Sequence, residues 1–177
     1  LKERGDKFNS RGVWFQGAYP IRSGWEGRVE AELAARQMGA HRLMMAGVRF
    51  LAPDQCCIGP RVQVGEGTVV LPGTILRGET VIGRNCEIGP NTMIRDCTVG
   101  DNVTVNASQL NESRVDDGVK IGPFAYIRPN CHVGENVKVG DFVELKNSTI
   151  GAGTKISHLT YVGDSDVGER VNFGCGT

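Results

Sequence analysis

The chain carries a hydrophobic repeat of about six residues. Twenty-one repeat positions hold an aliphatic residue or, at the last, Phe, separated by 15 steps of six residues and five steps of five. The positions are Ile58, Val64, Val70, Leu76, Ile82, Ile88, Ile94, Val99, Val105, Leu110, Val115, Ile121, Ile127, Val133, Val139, Leu145, Ile150, Ile156, Val162, Val167 and Phe173. A Ser, Thr, Ala, Val or Cys lies two residues before each of them. Because residues two apart in a strand share a face, each repeat predicts one large and one small inward side chain.

Turn-forming residues follow the same repeat. Pro60, Pro72, Pro90, Pro123 and Pro129 each lie two residues after a repeat position. The residues three after a repeat position include Gly67, Gly73, Asn85, Asn91, Asn102, Gly118, Asn130, Asn136 and Gly153. Proline fixes φ, and Gly or Asn tolerates positive φ, so a corner is predicted in each repeat.

Three repeats per coil predict a triangular, all-β parallel β-helix over residues 56–177. The 21 repeat positions give about seven coils, stacked at the usual strand spacing of about 4.8 Å. An antiparallel sandwich is disfavoured because its turns would be irregularly spaced. Such a solenoid exposes unpaired sheet at its two ends, which need caps or partners.

The N-terminal part of the chain has a different pattern. Residues 28–46 carry Val29, Leu33, Ala34, Met38, Leu43 and Met45 among charged residues, which predicts an amphipathic helical arm that ends before Gly47. Residues 1–27 show no period and stay unassigned, and residues 47–177 are predicted to form the hexapeptide-repeat domain. Since the sequence begins with Leu1, we expect it to be part of a longer gene product.

Charge and composition narrow the function. The 20 basic and 20 acidic residues balance and form no block, so no nucleic-acid or anionic-membrane partner is expected. No apolar run is long enough to span a bilayer, which predicts a cytoplasmic protein. Cys56, Cys86, Cys97 and Cys131 fall in the small inward column and no C-x-x-C pair occurs, so these cysteines are predicted to be reduced packing residues.

Four polar side chains interrupt the pattern at one place. Arg128 and Lys146 are 18 residues apart in the same register, so they are predicted to stack on neighbouring coils. His158 and Tyr161 precede Val162 at the corner entering the same face. Such a group suits a phosphorylated sugar, with the cations on the phosphate and His158 as a general base. The alternative is that these residues are solvated surface charges.

Specific motifs support the first interpretation. The segments IGPFAYIRPNCHVG, GDFVELKNSTIG, KISHLTYVGDSDVG and VNFGCGT resemble the acetyltransferase half of the bacterial bifunctional uridyltransferase/acetyltransferases, often called GlmU, from about Ala46 to Thr177. The resemblance implies a left-handed β-helix that forms a homotrimer. It also implies transfer of acetyl from acetyl-CoA to the amine of glucosamine 1-phosphate, for UDP-N-acetylglucosamine synthesis.

The resemblance also implies roles for individual residues. His158 corresponds to the catalytic base, and the substrate contacts correspond to Arg128, Lys146, Tyr161 and Asn172. Asn172 is expected around another corner, which suits a site completed between subunits. Cys175 stands at a cofactor-binding position where the family usually has Ala. The family continues into an ITCNYDG segment with another substrate lysine and most of the coenzyme pocket, so the sequence to Thr177 is expected to carry half of the site; the uridyltransferase half is absent from it.

Two other functions fit the same solenoid. A γ-type carbonic anhydrase needs three zinc-binding histidines, but His41, His132 and His158 are scattered along the chain, so no metal site is expected. A non-catalytic trimerisation scaffold or an inactive fragment stays open as the second hypothesis.

Overall fold

The computed structural model describes residues 25–175 of the chain. The chain divides into two compact units, Leu1–Ala34 and Ala35–Thr177. Almost all of the unassigned N-terminal segment therefore lies outside the described residues. Helix α1, Trp25–Met45, and 22 short strands make up the regular structure, together with a 3-10 turn at Pro53–Gln55.

The strands are two to four residues long and follow one another at corner turns. The first eleven are β1 (Arg49–Phe50), β2 (Cys57–Ile58), β3 (Gln63–Val64), β4 (Val69–Val70), β5 (Ile75–Arg77), β6 (Val81–Ile82), β7 (Glu87–Ile88), β8 (Met93–Arg95), β9 (Thr98–Val99), β10 (Thr104–Val105) and β11 (Gln109–Asn111). The others are β12 (Arg114–Val115), β13 (Lys120–Ile121), β14 (Tyr126–Ile127), β15 (His132–Val133), β16 (Lys138–Asp141), β17 (Glu144–Lys146), β18 (Thr149–Ile150), β19 (Lys155–His158), β20 (Tyr161–Gly163), β21 (Asp166–Val167) and β22 (Asn172–Phe173).

Every third strand belongs to the same sheet. Sheet A holds the eight strands from β1 to β22, sheet B the seven from β2 to β20, and sheet C the seven from β3 to β21. All pairings are parallel, for example Val70 with Ile88 and Ile127 with Leu145. The predicted parallel β-helix of about seven coils is confirmed.

The predicted inward columns form the core. The large column is buried from Ile58 to Val162, while Val167 and Phe173 are partly buried. The small column is equally buried over most of its length, and its hydroxyls donate to corner carbonyls, as Thr68 does to Gly83 at 2.9 Å and Thr80 to Arg77 at 2.6 Å. Among residues 25–175, no buried side-chain polar atom lacks a hydrogen-bond partner. The large inward positions of the core are therefore apolar, and the buried polar atoms at its small inward positions all have hydrogen-bond partners.

The corners also follow the sequence. All nine Gly and Asn residues predicted at corners have positive φ, such as Asn85 at 55° and Gly118 at 68°. A Cβ at Gly67 would collide with the Asn85 side chain on the next coil. At such positions a Cβ costs strain or a clash, which explains the choice of Gly and Asn.

Helix α1 differs from the prediction in extent and in its buried residues. It begins at Trp25, three residues before the predicted start, and Gly47 ends the turn after it with φ of 89°. Val29, Leu33, Met38 and Met45 are exposed, whereas Ala40 and Leu43 join the core. The prediction of an apolar stripe along the helix is therefore mostly wrong. The end of the helix contacts the first coils through the side chains of Ala40 and Leu43.

Two contacts hold the end of α1 to the first coils. The Arg42 guanidinium donates to the Val62 carbonyl at 2.7 Å. A Cβ at Gly39 would lie 2.7 Å from the Ile58 carbonyl oxygen, so only Gly permits this approach. Residues 35–45 thus cover part of the solenoid end that would otherwise expose core.

We expect Ile88→Asp to prevent folding, because Ile88 is fully buried and an unpaired carboxylate there costs several kcal/mol, about 3 or more. Circular dichroism and thermal denaturation measure this. Glu87→Ala, on the exposed side of the same strand, should change stability by less than about 0.5 kcal/mol. Cys86→Ser should cost about 1 kcal/mol or less, since the Sγ already lies 3.2 Å from the Gly100 carbonyl. A cooperative, unchanged melting curve for Ile88→Asp would show the inward register to be wrong.

Candidate active site

The site begins with two stacked cations on sheet B. Ile127 pairs with Leu145, and the Arg128 backbone N–H donates to the Leu145 carbonyl at 2.8 Å. Arg128 and Lys146 each directly follow these paired residues, so they lie one above the other, as their 18-residue spacing predicts. Both side chains are 39% exposed and are held at their bases by the sheet.

Each cation has a carboxylate partner that the sequence analysis missed. Arg128 Nη1 lies 2.8 Å from Glu144 Oε1, and Lys146 Nζ lies 3.1 Å from Asp164 Oδ2. Asn147 also donates to Asp164 at 2.9 Å. In each pair the acid lies one coil further along the chain, 16 or 18 residues away. That spacing is visible in the sequence and could have revealed the two pairs.

These contacts set the protonation of the pairs. The hydrogen bond and charge of Glu144 raise the pKa of Arg128 above its ordinary value, and nearby Tyr161 and Tyr126 act in the same direction. Hydrogen bonds from Asn147 and Lys146 lower the pKa of Asp164. Arg128 and Asp164 therefore stay ionised around neutral pH, and both pairs stay accessible to a ligand.

Tyr161 brings a phenol to the same column. Its strand pairs with β17, so Tyr161 lies beside Glu144 and Gly163 lies beside Lys146. A Cβ at Gly163 would collide with the Tyr161 hydroxyl, so the glycine leaves room for the phenol to lie over the backbone next to Lys146. The ring is 53% exposed.

His158 lies around the corner from the cations. It is the last residue of β19 on sheet A and pairs in register with Asp141 on the preceding coil. Leu159 and Thr160 form the corner between His158 and Tyr161, and the Thr160 hydroxyl donates to the His158 carbonyl at 2.9 Å. The imidazole is exposed. The structure thus places the histidine and the phenol on either side of one corner, which we name the A–B corner.

Asn172 and Cys175 lie on the following coil. Asn172 pairs with Lys155 on sheet A, three residues and about 10 Å along the strand from His158. It is therefore near the opposite corner of sheet A and far from Arg128 and Lys146 in the same chain. If the register of Asn172 with Lys155 continues along the chain, Cys175 lies next to His158 on the following coil. Cys175 is exposed. Only Cys175 of these two lies next to the histidine.

An exposed apolar ridge runs along the A–B corner. Phe124, Phe142 and Leu159 occupy corner positions with φ of 59°, 54° and 50°. Their exposures are 59%, 59% and 56%, and the two phenyl rings stack with centroids 5.5 Å apart. Positive φ is strained for bulky residues, and strain of this kind concentrates at functional sites and contact surfaces. We call these three residues the corner ridge.

Other polar groups lie away from this corner. His132 points outward from sheet C and lies 2.7 Å from Asp116, which Arg114 also contacts at 2.8 Å. Across residues 25–175, no group of three or more His, Cys, Asp or Glu side chains is arranged to hold a metal ion. No helix within that range is long and apolar enough to cross a membrane.

A family comparison agrees with this architecture. Residues 47–145 match the family described as "EIF2B subunit epsilon LbH domain", where LbH denotes a left-handed β-helix. The chain belongs to this left-handed β-helix family. The handedness that the motif resemblance implied is therefore supported independently of the motifs.

Curated relatives of the left-handed β-helix chain confirm the motif resemblance. "Bifunctional protein GlmU" of Geobacillus sp. strain WCH70 is 45% identical over 148 residues, which cover 84% of this chain and 32% of that protein. The protein of the same name from Clostridium acetobutylicum is 42% identical over 177 residues, covering 100% of this chain and 39% of that protein. The chain thus spans between about a third and two fifths of the length of these relatives.

A solved structure shares the fold. The UDP-N-acetylglucosamine acyltransferase from Campylobacter jejuni superimposes with a TM-score of 0.52 at 14% identity, over 73% of this chain and 66% of that one. This similarity concerns the β-helix alone.

The thiols provide a test of the site geometry. We expect Cys57 and Cys175 to react with a disulfide reagent at pH 8, and Cys56, Cys86, Cys97 and Cys131 to stay unreactive in the folded protein. Burial raises the pKa of these four thiols, that of Cys97 to about 11, and the thiolate is the reactive form.

Mass spectrometry after timed labelling identifies the modified residues. All six thiols should react in denaturant, which serves as the control. Rapid labelling of Cys97 in the native protein would contradict its inward placement.

Proposed function

We propose that the chain carries acceptor-side residues for acetyl transfer from acetyl-CoA to the amine of glucosamine 1-phosphate, yielding N-acetylglucosamine 1-phosphate for UDP-N-acetylglucosamine synthesis. The observation that carries the proposal is the placement of Arg128, Lys146 and Tyr161 together on sheet B, with His158 on sheet A across the A–B corner from Tyr161. The similarity to the proteins named bifunctional protein GlmU supports it. The proposed activity is that of an N-acetyltransferase.

The sheet B residues are suited to a sugar phosphate. The guanidinium has several N–H donors, of which the Glu144 contact uses one, so Arg128 can bind phosphate without losing its partner. Lys146 adds a second charge one coil further, and the Tyr161 phenol can donate to a phosphate or sugar oxygen. Glu144 and Asp164 hold both cations in place before a ligand arrives.

His158 is the proposed general base. The neutral imidazole accepts a proton from the acceptor amine as the amine nitrogen forms a bond to the thioester carbonyl carbon. The tetrahedral intermediate then breaks the carbon–sulfur bond, and the coenzyme thiolate leaves and takes up a proton. Asp141 is the in-register neighbour of His158 on the preceding coil.

Fewer of the described residues belong to the part of the site proposed to bind acetyl-CoA. Cys175, exposed and one coil beyond His158, is the proposed contact for acetyl-CoA, and Asn172 is a proposed substrate contact. No resident metal is part of the proposal. Six free thiols suit a reducing compartment, so we propose a cytoplasmic location.

A homotrimer is part of the proposal. Asn172 lies too far around the prism to meet a ligand held by Arg128 of its own chain, but a neighbouring copy could present it. The corner ridge supports the same arrangement, because a convex apolar surface suits a protein partner better than a small ligand. The ridge runs parallel to the solenoid axis, so copies related by rotation about a parallel axis can align along it.

A non-catalytic scaffold is the second candidate function. Two observations favour it: both sheet B cations already have carboxylate partners, and the matching family is described without reference to a transferase. A scaffold would trimerise but would not bind glucosamine 1-phosphate. Calorimetric titration with this ligand therefore separates the two functions.

In a form of the protein extended by the ITCNYDG segment and the coils that follow it in the family, we expect His158→Ala to lower kcat for acetyl transfer by about 10² to 10⁴ with little change in the KM for glucosamine 1-phosphate, because the variant loses the base. Arg128→Ala should mainly raise that KM, since a phosphate contact is lost in the ground and transition states alike. A spectrophotometric assay of coenzyme thiol release measures both.

His132→Ala is the matched control, because this histidine lies on sheet C, and it should leave kcat unchanged. Near-full kcat in His158→Ala would reduce His158 to a structural corner residue. If the extended form bound glucosamine 1-phosphate but showed no thiol release, the catalytic part of the proposal would fail.

Light scattering should give three times the chain mass at micromolar concentration. Phe142→Asp should shift the protein towards the monomer without unfolding it, because its ring is exposed within one chain. Glu112→Asp, an exposed change on another corner, should leave the mass unaltered. A stable monomer of the unaltered chain would contradict the assembly.

A further inference from the structure

A column of three lysines runs up sheet A. Lys120 pairs with Lys138, and Lys138 pairs with Lys155, so the three side chains lie on successive coils. Neighbouring strands are about 4.8 Å apart, and all three residues are exposed. Asn172 continues the column on the next coil. We call Lys120, Lys138 and Lys155 the lysine column.

This column differs from most of the ion-paired cations on the solenoid. Six other cations pair with acids: Arg61 with Glu79, Arg95 with Glu112, Arg114 with Asp116, Arg128 with Glu144, Lys146 with Asp164 and Arg170 with Glu169. Among the described residues, Arg49, Arg77 and Arg84 have no such pair, but no three of these cations stack on successive coils. Within residues 25–175, none of the three lysines has a carboxylate within 4.0 Å. Like charges on directly opposed strand positions are destabilising, so the arrangement costs stability unless an anion offsets it.

The surrounding charges leave the upper end of the column most positive. Asp117 and Glu135 lie at the corner three residues before Lys120 and Lys138, and the Asp117 carboxylate accepts a hydrogen bond from the Asp101 backbone N–H at 2.7 Å. The equivalent residue before Lys155 is Ala152. The acid at the far end of these strands is Asp141, which lies beside His158.

The column shares a face with the proposed base. Lys155 and His158 belong to the same strand, β19, about 10 Å apart along it. An anion held by Lys138 and Lys155 would therefore lie on the same sheet as His158, about 10 Å from it along the strand, whereas Arg128 and Lys146 lie on sheet B. A ligand with two phosphate-bearing ends could touch both faces.

We propose that the lysine column is a second anion-binding surface, which takes a phosphate or pyrophosphate group. Two ammonium groups about 4.8 Å apart can donate to different oxygens of one phosphate or pyrophosphate group, which carries more negative charge than a single carboxylate. The surface is separate from the sheet B cations. The inference concerns binding alone, so it does not require that the chain transfer acetyl groups.

The test is calorimetric titration of inorganic pyrophosphate at low ionic strength. The double variant Lys138→Gln/Lys155→Gln should lower the affinity by at least about tenfold, because charge-assisted contacts are lost. Arg61→Gln, which removes an exposed cation elsewhere on the solenoid, should stay within about twofold. Phosphate should also raise the Tm of the unaltered protein more than that of the double variant.

Two further titrations identify the source of the phosphate. A loss confined to coenzyme A assigns the surface to a nucleotide donor, and a loss confined to glucosamine 1-phosphate assigns it to the acceptor; either supports the proposal. All titrations are run where light scattering gives equal masses for the variants and the unaltered chain.

Equal pyrophosphate affinity in the double variant and the unaltered chain would overturn the proposal, as would an absence of binding by the unaltered chain. A change in oligomeric state with unchanged pyrophosphate affinity would overturn it too, since the lysines would then serve carboxylates of a neighbouring subunit. If the unaltered chain bound pyrophosphate through the two lysines but the extended form of the protein transferred no acetyl group, the result would count against the proposed function instead.

Discussion

The parallel backbone ladder between successive coils is the constraint on which the structure depends. Each strand of two to four residues bonds only to the strands one coil below and above, as the Arg128 N–H does to the Leu145 carbonyl at 2.8 Å and the Asp164 N–H to the Lys146 carbonyl at 2.9 Å. Residues 16 to 18 apart therefore stack at a fixed distance. Inside, stacking produces continuous apolar columns; outside, it forces charged residues of equivalent positions into contact.

The features that depend on the repeat of about six residues were predicted from the sequence. The inward columns, the nine Gly and Asn corners, the buried cysteines and the stacking of Arg128 on Lys146 all follow from spacing, because the inside of a narrow coil accepts few side chains. The arm was different. Val29 and Leu33 are exposed, and Ala40 and Leu43 make the core contacts. A helix that touches a solenoid through one end needs no apolar stripe along its length, so its periodicity carried little information.

The site was only partly predictable for a related reason. Register fixes which residues stack, but long side chains choose partners on neighbouring coils, so the pairs Arg128–Glu144 and Lys146–Asp164 were not foreseen. Handedness had no signature in the spacing and came from family resemblance. Phe124, Phe142 and Leu159 have positive φ at corner positions that other coils fill with Gly or Asn. Composition alone does not reveal that these residues are exposed and strained, because an apolar residue in a hydrophobic repeat is normally predicted to be buried.

The two cationic surfaces would act on an anion at different ranges. On sheet B, each cation is neutralised by a carboxylate within 3.1 Å, so its field is short and its geometry fixed. On sheet A, Lys138 and Lys155 have no such partner among the described residues, and their field extends into solvent until salt screens it, over about 8 Å at physiological ionic strength. The lysines would therefore draw a phosphate towards the face that bears His158, and their contribution would fall as salt rises. The paired cations would distinguish ligands at contact, with a weaker dependence on salt. A solenoid that stacks equivalent positions can thus attract an anion on one face and recognise it on the adjacent face. Both faces use cationic side chains, and they differ only in whether an acid lies one coil further along the chain.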